Sequence, residues 1–291
     1  MGDIVLVSPG PLAGKTTVAA GLSQRFASEG KTISVRRVPG DEHAESDDSL
    51  FRGLKGVSQD PASEITIFEA PAGEALSPLA QHSGARALVV TDASTPTEAL
   101  ADYCRQIGGR LAGVLINKMP AKRAETLLTE ANVAGLVVLG TLPEDRLLAA
   151  PVLRDVVQAL AAQAEHFDGA GMRALDRPVI ATISADPGQG YFARYDASAV
   201  IVRSDKPDLQ LAALNAGAEC LIVTGGLPIL GYVLERAEED QIPLLRTGLN
   251  TLATVRQIED IFGSSPFAGG HAKIERATEL LSGLDLAALL G

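Results

Sequence analysis

The sequence predicts an α/β protein: a doubly wound parallel sheet carrying a phosphate-binding loop, followed by a smaller α/β domain. Three observations lead there. Apolar strand-like segments alternate with helical patterns along the chain, as expected of strands joined by crossover helices. Hydrophobic residues make up 46% of the chain while aromatics make up 4% and tryptophan is absent, so the core must be built from Ala, Val, Leu and Ile, which suits strands buried on both faces. Finally, the run Ser8-Pro9-Gly10-Pro11-Leu12-Ala13-Gly14-Lys15-Thr16-Thr17 stands between an apolar strand and a helical pattern, the context such a loop requires.

The elements follow in order. Strands are expected at Ile4–Val7, Ile33–Val38, Ile65–Phe68, Ala87–Thr91, Gly113–Ile116 and Leu136–Leu139, and helices at Thr17–Ser28, Pro96–Ile107, Lys122–Asn132 and Leu147–Gln163. Ligands of such sheets sit at the carboxyl ends of the strands. Residues 1–165 form the first expected domain. The polar, glycine-containing stretch 166–177 reads as a linker, and 178–291 as the second domain. There, strands are expected at Val179–Ile183, Ala199–Arg203, Cys220–Thr224 and Leu244–Arg246, with helices at Leu209–Ala216, Ile229–Glu238, Thr251–Phe262 and Ala272–Leu281. The length of 291 residues accommodates two domains.

The loop carries most of the chemistry. Its glycines let backbone N–H groups wrap around phosphate oxygens, and the following helix N-terminus adds partial positive charge. The strict motif has a glycine five residues before Gly14; here that position is Pro9, with Gly10 one step later. Gly10, Pro11, Leu12, Ala13, Gly14, Lys15, Thr16 and Thr17 are the expected nucleotide contacts, Lys15 reaching the β- and γ-phosphates and the Thr16 hydroxyl serving Mg²⁺. A nucleoside triphosphate is therefore the expected ligand. Glu69, at the end of an apolar strand, is either a second Mg²⁺ ligand or a strand-end carboxylate meeting solvent. Asp47 and Asp48 lie in an acidic run, 41–48, where one of them, Asp48 in the first instance, serves the metal, or both are solvated. Of Arg36 and Arg37 one is expected to face the phosphates, because successive strand residues point to opposite faces; the alternative is a surface ion pair with the acidic loop. Asp92 ends the fourth strand and either supports the loop or the metal's water shell. Asn117 either reads the adenine edge or is a turn residue. The turn Thr224-Gly225-Gly226 either offers N–H groups to an anion or is a tight strand-to-helix connection.

Other classes are disfavoured. A net charge of −11 argues against a general nucleic-acid or anionic-membrane binder. Cys104 and Cys220 lie far apart in apolar settings and read as buried thiols, not a disulfide or zinc site. His43, His82, His166 and His271 have no ligand spacing. The chain opens on a strand and has no apolar run long enough to span a bilayer, so the expected location is the cytoplasm.

Taken together, the loop, Val35-Arg36-Arg37-Val38, Phe68-Glu69-Ala70-Pro71-Ala72-Gly73, Val89-Val90-Thr91-Asp92-Ala93-Ser94, Gly113-Val114-Leu115-Ile116-Asn117-Lys118 and Leu139-Gly140-Thr141-Leu142-Pro143-Glu144-Asp145 resemble dethiobiotin synthetase and cobyrinic acid a,c-diamide synthase. Cys220-Leu221-Ile222-Val223-Thr224-Gly225-Gly226-Leu227, Val233-Leu234-Glu235-Arg236-Ala237 and Ile242-Pro243-Leu244-Leu245 resemble the DRTGG domain. A similar pairing forms the N-terminal part of long phosphate acetyltransferases. The resemblance implies ATP rather than GTP, Mg²⁺, a homodimer, and either a regulatory protein with slow ATPase activity or an ATP-dependent C–N ligase. It aligns the second-strand lysine of dethiobiotin synthetase with Arg36, which makes Lys15 and Arg36 the expected catalytic pair. Arginine keeps the charge but is not a deprotonatable amine. The region between the second strand and Glu69 is short, which weakens the ligase reading.

Overall fold

The computed structural model describes residues 2–40, 44–58, 60, 63–182, 192, 194, 195, 197–268 and 270–291. The chain forms two compact units. The first comprises Met1–Leu148 and His271–Gly291, the second Ala149–Gly270.

The first unit is a six-stranded parallel sheet in the order β2-β3-β1-β4-β5-β6. Its strands are β1 (Gly2–Val7), β2 (Ile33–Arg37), β3 (Ile65–Glu69), β4 (Arg86–Asp92), β5 (Leu111–Met119) and β6 (Val138–Pro143). Helices α1 (Lys15–Ser28), α2 (Ala44–Arg52), α3 (Leu76–Gln81), α4 (Thr97–Ile107), α5 (Ala124–Val133) and α6 (Arg146–Ala149) lie among them. From β1 the chain moves outward to β2 and then returns past β1 to β4, so the strand order reverses at β1. This is the place where open α/β sheets bind ligands. The two faces follow from strand alternation. Val5, Val7, Val89, Val114 and Ile116 pack with Leu100, Tyr103 and Leu127 in one buried cluster. Ile4 and Leu6 point the other way, in register with Ile67 and Glu69 of β3, and these in turn match Val35 and Arg37 of β2. Sheet and helices therefore form the doubly wound α/β architecture expected.

The second unit is a five-stranded sheet in the order β7-β11-β10-β9-β8, with β7 (Gln163–Glu165), β8 (Pro178–Ile180), β9 (Ala199–Arg203), β10 (Leu221–Thr224) and β11 (Leu244–Arg246). Among the described residues only β7 runs antiparallel. Its helices are α7 (Leu153–Ala159), α8 (Pro207–Asn215), α9 (Gly231–Glu239) and α10 (Thr251–Ile261). Val200, Val202, Leu221 and Val223 face one core with Leu209 and Val233. Ala199, Ile201 and Ile222 face another with Leu153, Val156 and Ile258. The last helices, α11 (His271–Leu280) and α12 (Leu286–Leu290), return to the first unit.

Three expectations are corrected. The helix expected over Leu147–Gln163 is α6, α7 and the edge strand β7, because Pro151 cannot continue a helix and Ala161 adopts φ 46°. The stretch 166–177 is not a free linker. Ala170 and Leu175 are buried in the second unit's core, and Leu153 N–H donates to Arg173 O while Leu175 N–H donates to Pro151 O. Residues 271–291 belong to the first unit, not the second. Ile183, at the end of one expected strand, and His43, with positions 41–43 of the acidic run, lie outside the described residues.

Candidate functional site

The loop between β1 and α1 turns on two left-handed residues, Leu12 at φ 55° and Gly14 at φ 91°. A Cβ on Gly14 would lie 2.1 Å from Asn117 Nδ2, so glycine is required for space as well as conformation. The loop's carbonyls are tied back into the protein. Ser8 Oγ donates to Gly10 O at 2.7 Å, Asn117 Nδ2 to Ala13 O at 2.9 Å, and Lys118 Nζ to Leu12 O at 2.9 Å. Among the described residues, the N–H groups of Gly10, Leu12, Ala13 and Gly14 donate to no other residue. Backbone amides left in this state beside a helix N-terminus form an anion cradle.

Lys15 is buried, and its Nζ donates to Ser8 Oγ at 2.7 Å. Behind the cradle, Thr16 Oγ1 donates to Glu69 Oε1 at 2.9 Å. Arg37 lies 3.6 Å from Glu69 Oε1 and 3.2 Å from Asp47 Oδ2, and its Nη1 donates to the carbonyls of Glu69 and Ala70. All three of these charged side chains are buried, at 3–7% exposure. Glu69 Oε2 is buried and accepts no hydrogen bond among the described residues. Burial pushes the Glu69 carboxyl up to about 7; Asp47 adds to the rise, while Arg37, Lys15 and Thr16 oppose it.

The structure thus brings Lys15, Thr16 and Glu69 together as the sequence suggested, and exchanges two other residues for their neighbours. Arg37, not Arg36, stands at the carboxylates. It shares a register with Glu69, whereas Arg36 is in register with Phe68, whose side chain packs on the opposite face and stacks on His82. Asp47, not Asp48, turns inward, because both lie on the helix α2, not in a loop. Asp48 is held by Arg52 one turn on, at 2.6 Å. Asn117 is buried and its Nδ2 braces the loop. Asp92 accepts from the N–H and hydroxyl of Ser94.

A magnesium ion fits the donors present. The Thr16 hydroxyl and the carboxylates of Glu69 and Asp47, Glu69 Oε2 being the orphaned oxygen, are hard donors. Among the described residues no three His, Cys, Asp or Glu side chains gather into a group that could hold a metal ion by themselves. The thiols of Cys104 and Cys220 are buried and pushed up to about 11 and about 12 by that burial, so both are inert.

In the second unit the turn after β10 is built differently. Gly225 and Gly226 adopt φ 95° and 77°, but their N–H groups donate to Leu249 O and Thr247 O. This is a tight connection, with its donors already used.

Residues 155–261, within the second unit, match the DRTGG domain. Over 271 residues the chain is 26% identical to hydrogenobyrinate a,c-diamide synthase of Streptomyces coelicolor, an alignment that covers 77% of this chain and 55% of that protein. The chain thus spans about half the length of that curated relative. Among solved structures it is similar to the CBS and DRTGG domains of the regulatory region of Clostridium perfringens pyrophosphatase complexed with diadenosine tetraphosphate, at 14% identity and a TM-score of 0.35, covering 66% of this chain and 84% of that one. It is also similar to the MinC:MinD cell division complex of Aquifex aeolicus, at 16% identity and a TM-score of 0.40, covering 51% and 83% respectively. The first unit is an open six-stranded parallel sheet with a glycine-bearing loop between its central strand β1 and the helix α1. No helix among the described residues is long and apolar enough to cross a membrane.

Proposed function

We propose that the first unit binds ATP with Mg²⁺ in the cradle of residues 10–17 and that the protein is a nucleotide-responsive regulator with slow ATPase activity, its DRTGG-containing unit being the responding part. The observation that carries this reading is the asymmetry of the loop: its carbonyls are tied back while four of its N–H groups are unspent. Lys15 exchanges Ser8 for phosphate oxygens. Thr16, Glu69 and Asp47 hold the metal, which neutralises the phosphates' charge when bound. Arg37 lies between the two carboxylates and fixes them in place, its Nη1 also holding the carbonyls of Glu69 and Ala70. Asn117 and Lys118 fix the loop rather than read a base. The regulatory reading also rests on the resemblance to the N-terminal part of long phosphate acetyltransferases, and with it comes the expectation of a homodimer. Calorimetry of the full chain with ATP, GTP and Mg²⁺ tests the proposal. Binding lost in Lys15→Ala is the expected outcome; no heat with either nucleotide at millimolar Mg²⁺ would reject it.

A second reading is favoured by one observation, the similarity to hydrogenobyrinate a,c-diamide synthase over most of the chain. In that reading Lys15 and Arg37 stabilise a phosphoryl group passing to a carboxylate, which then takes nitrogen. ATP turnover that rises only when an organic acid and a nitrogen donor are both supplied would select it over the regulatory one.

A further inference from the structure

The second unit interrupts the first. The chain leaves the first unit after Leu148 and returns at His271, and among the described residues the returning helix α11 packs more extensively on α1 than any other helix pair does. Helix α1 is the one that opens with Lys15 and Thr16. The contact is close-fitting. A Cβ on Gly21 of α1 would lie 2.6 Å from Leu281 Cδ1 and 3.0 Å from the Ala277 carbonyl. Arg25, one turn further along α1, donates through Nη1 to the carbonyls of Leu281 and Leu284 at 2.6 and 2.7 Å, two buried residues that follow the last turn of α11.

The other end of α11 is tied to the point where the chain departs. Arg276 Nε donates to Asp145 Oδ2 at 2.7 Å, Asp145 Oδ1 accepts from Leu148 N–H at 3.0 Å, and Lys273 Nζ donates to Leu148 O at 3.4 Å. Asp145 therefore holds both strands of the connection, the outgoing one through Leu148 and the incoming one through Arg276. Lys273 is itself buried, whereas Arg276 is about a third exposed and also donates to Glu279 at 2.6 Å.

We propose that α11 is a strap through which the DRTGG-containing unit acts on the phosphate cradle. Both covalent links to that unit meet at the Asp145 knot, and from the knot a single rigid helix runs to the flank of α1. A change in the second unit pulls on the knot, α11 shifts along Gly21 and Arg25, and α1 re-aims Lys15 and Thr16. The effect on nucleotide rests on the cradle binding one; the strap itself does not.

Hydrogen exchange on the full chain tests the strap without any ligand. Ile222→Ala, in the fully buried centre of the second unit, loosens that unit from within; Ile222→Val is the milder form should the first fail to fold. The strap predicts that exchange in α11 and the first turns of α1 rises about fivefold with it. It predicts that adding Arg276→Met confines the rise to residues 149–270, and that Arg276→Lys restores part of the transmission. A rise confined to 149–270 with the knot intact, or one equally large in α1 with and without Arg276, would overturn it. Calorimetry with ATP and Mg²⁺ on the same variants separates the two proposals: a chain that transmits exchange but binds no nucleotide keeps the strap and loses the nucleotide reading.

Discussion

Each unit contains a glycine-bearing turn between a parallel strand and a helix, one after β1 and one after β10, and they spend their backbone differently. After β1, Ser8 within the turn and Asn117 and Lys118 of β5 take the carbonyls of Gly10, Ala13 and Leu12, and four N–H groups of the turn are unspent among the described residues. After β10, the N–H groups of Gly225 and Gly226 are donated to Leu249 and Thr247, and Arg246 takes the Gly226 carbonyl. Glycine content and position do not separate an anion site from a tight corner. What separates them is which half of the peptide group the rest of the fold satisfies.

The comparison breaks most sharply behind the turns, where only the first has a buried cation between two buried carboxylates. Arg37→Met leaves Asp47 and Glu69 buried without it, and is expected to destabilise the first unit by about 3–5 kcal/mol. Arg36→Met, on the opposite face, is expected to cost within about 0.5 kcal/mol. Urea unfolding followed by amide exchange in each unit measures both. Lys15→Ala removes the buried cation beside the first turn. ATP affinity should fall about 100-fold with little loss of stability, because a charge-assisted bond to phosphate is worth about 3 kcal/mol; calorimetry reads it directly.

Acidity sharpens the contrast next. Glu69 keeps its proton up to about pH 7, where an ordinary glutamate loses it near 4.5. A cation must displace that proton, so Mg²⁺–ATP affinity should climb by about tenfold per unit as pH rises towards 7 and level off above it. Glu69→Gln should flatten the profile. The sign for folding is opposite: the folded state binds the extra proton, so the Glu69 contribution to stability declines between pH 4.5 and about 7. The smallest effect belongs to the second turn. Gly225→Ala, at φ 95° and with Ser204 Oγ 3.1 Å from the new Cβ, should cost about 1–2 kcal/mol in the second unit. Nucleotide affinity should not change.

Much of this was legible in the sequence because it is local. The loop, its strand and its helix are contiguous, and Glu69 ends a five-residue apolar strand. The two exchanged residues were hidden by non-local facts. Choosing Arg37 over Arg36 needs the register of β2 on β3: Ile33, Val35 and Arg37 share a face only because they align with Ile65, Ile67 and Glu69. Choosing Asp47 over Asp48 needs α2, whose polar sequence reads as a loop. Its one signal was the buried Phe51 four residues after Asp47, against Arg52 four after Asp48. The return of 271–291 to the first unit left no local trace beyond Gly21, a glycine mid-helix whose reason is the approach of α11.

The central claim is that unspent amides after β1, and not those after β10, receive a polyphosphate. Amide chemical shifts of the full chain, titrated with ATP in the presence of Mg²⁺, test it residue by residue. The account predicts saturable shifts at Gly10, Leu12, Ala13 and Gly14, with Gly225 and Gly226 unmoved by direct contact in the Lys15→Ala chain as in the parent. Saturation that leaves residues 10–14 where they were, or that appears first at Gly225 and Gly226, would contradict it.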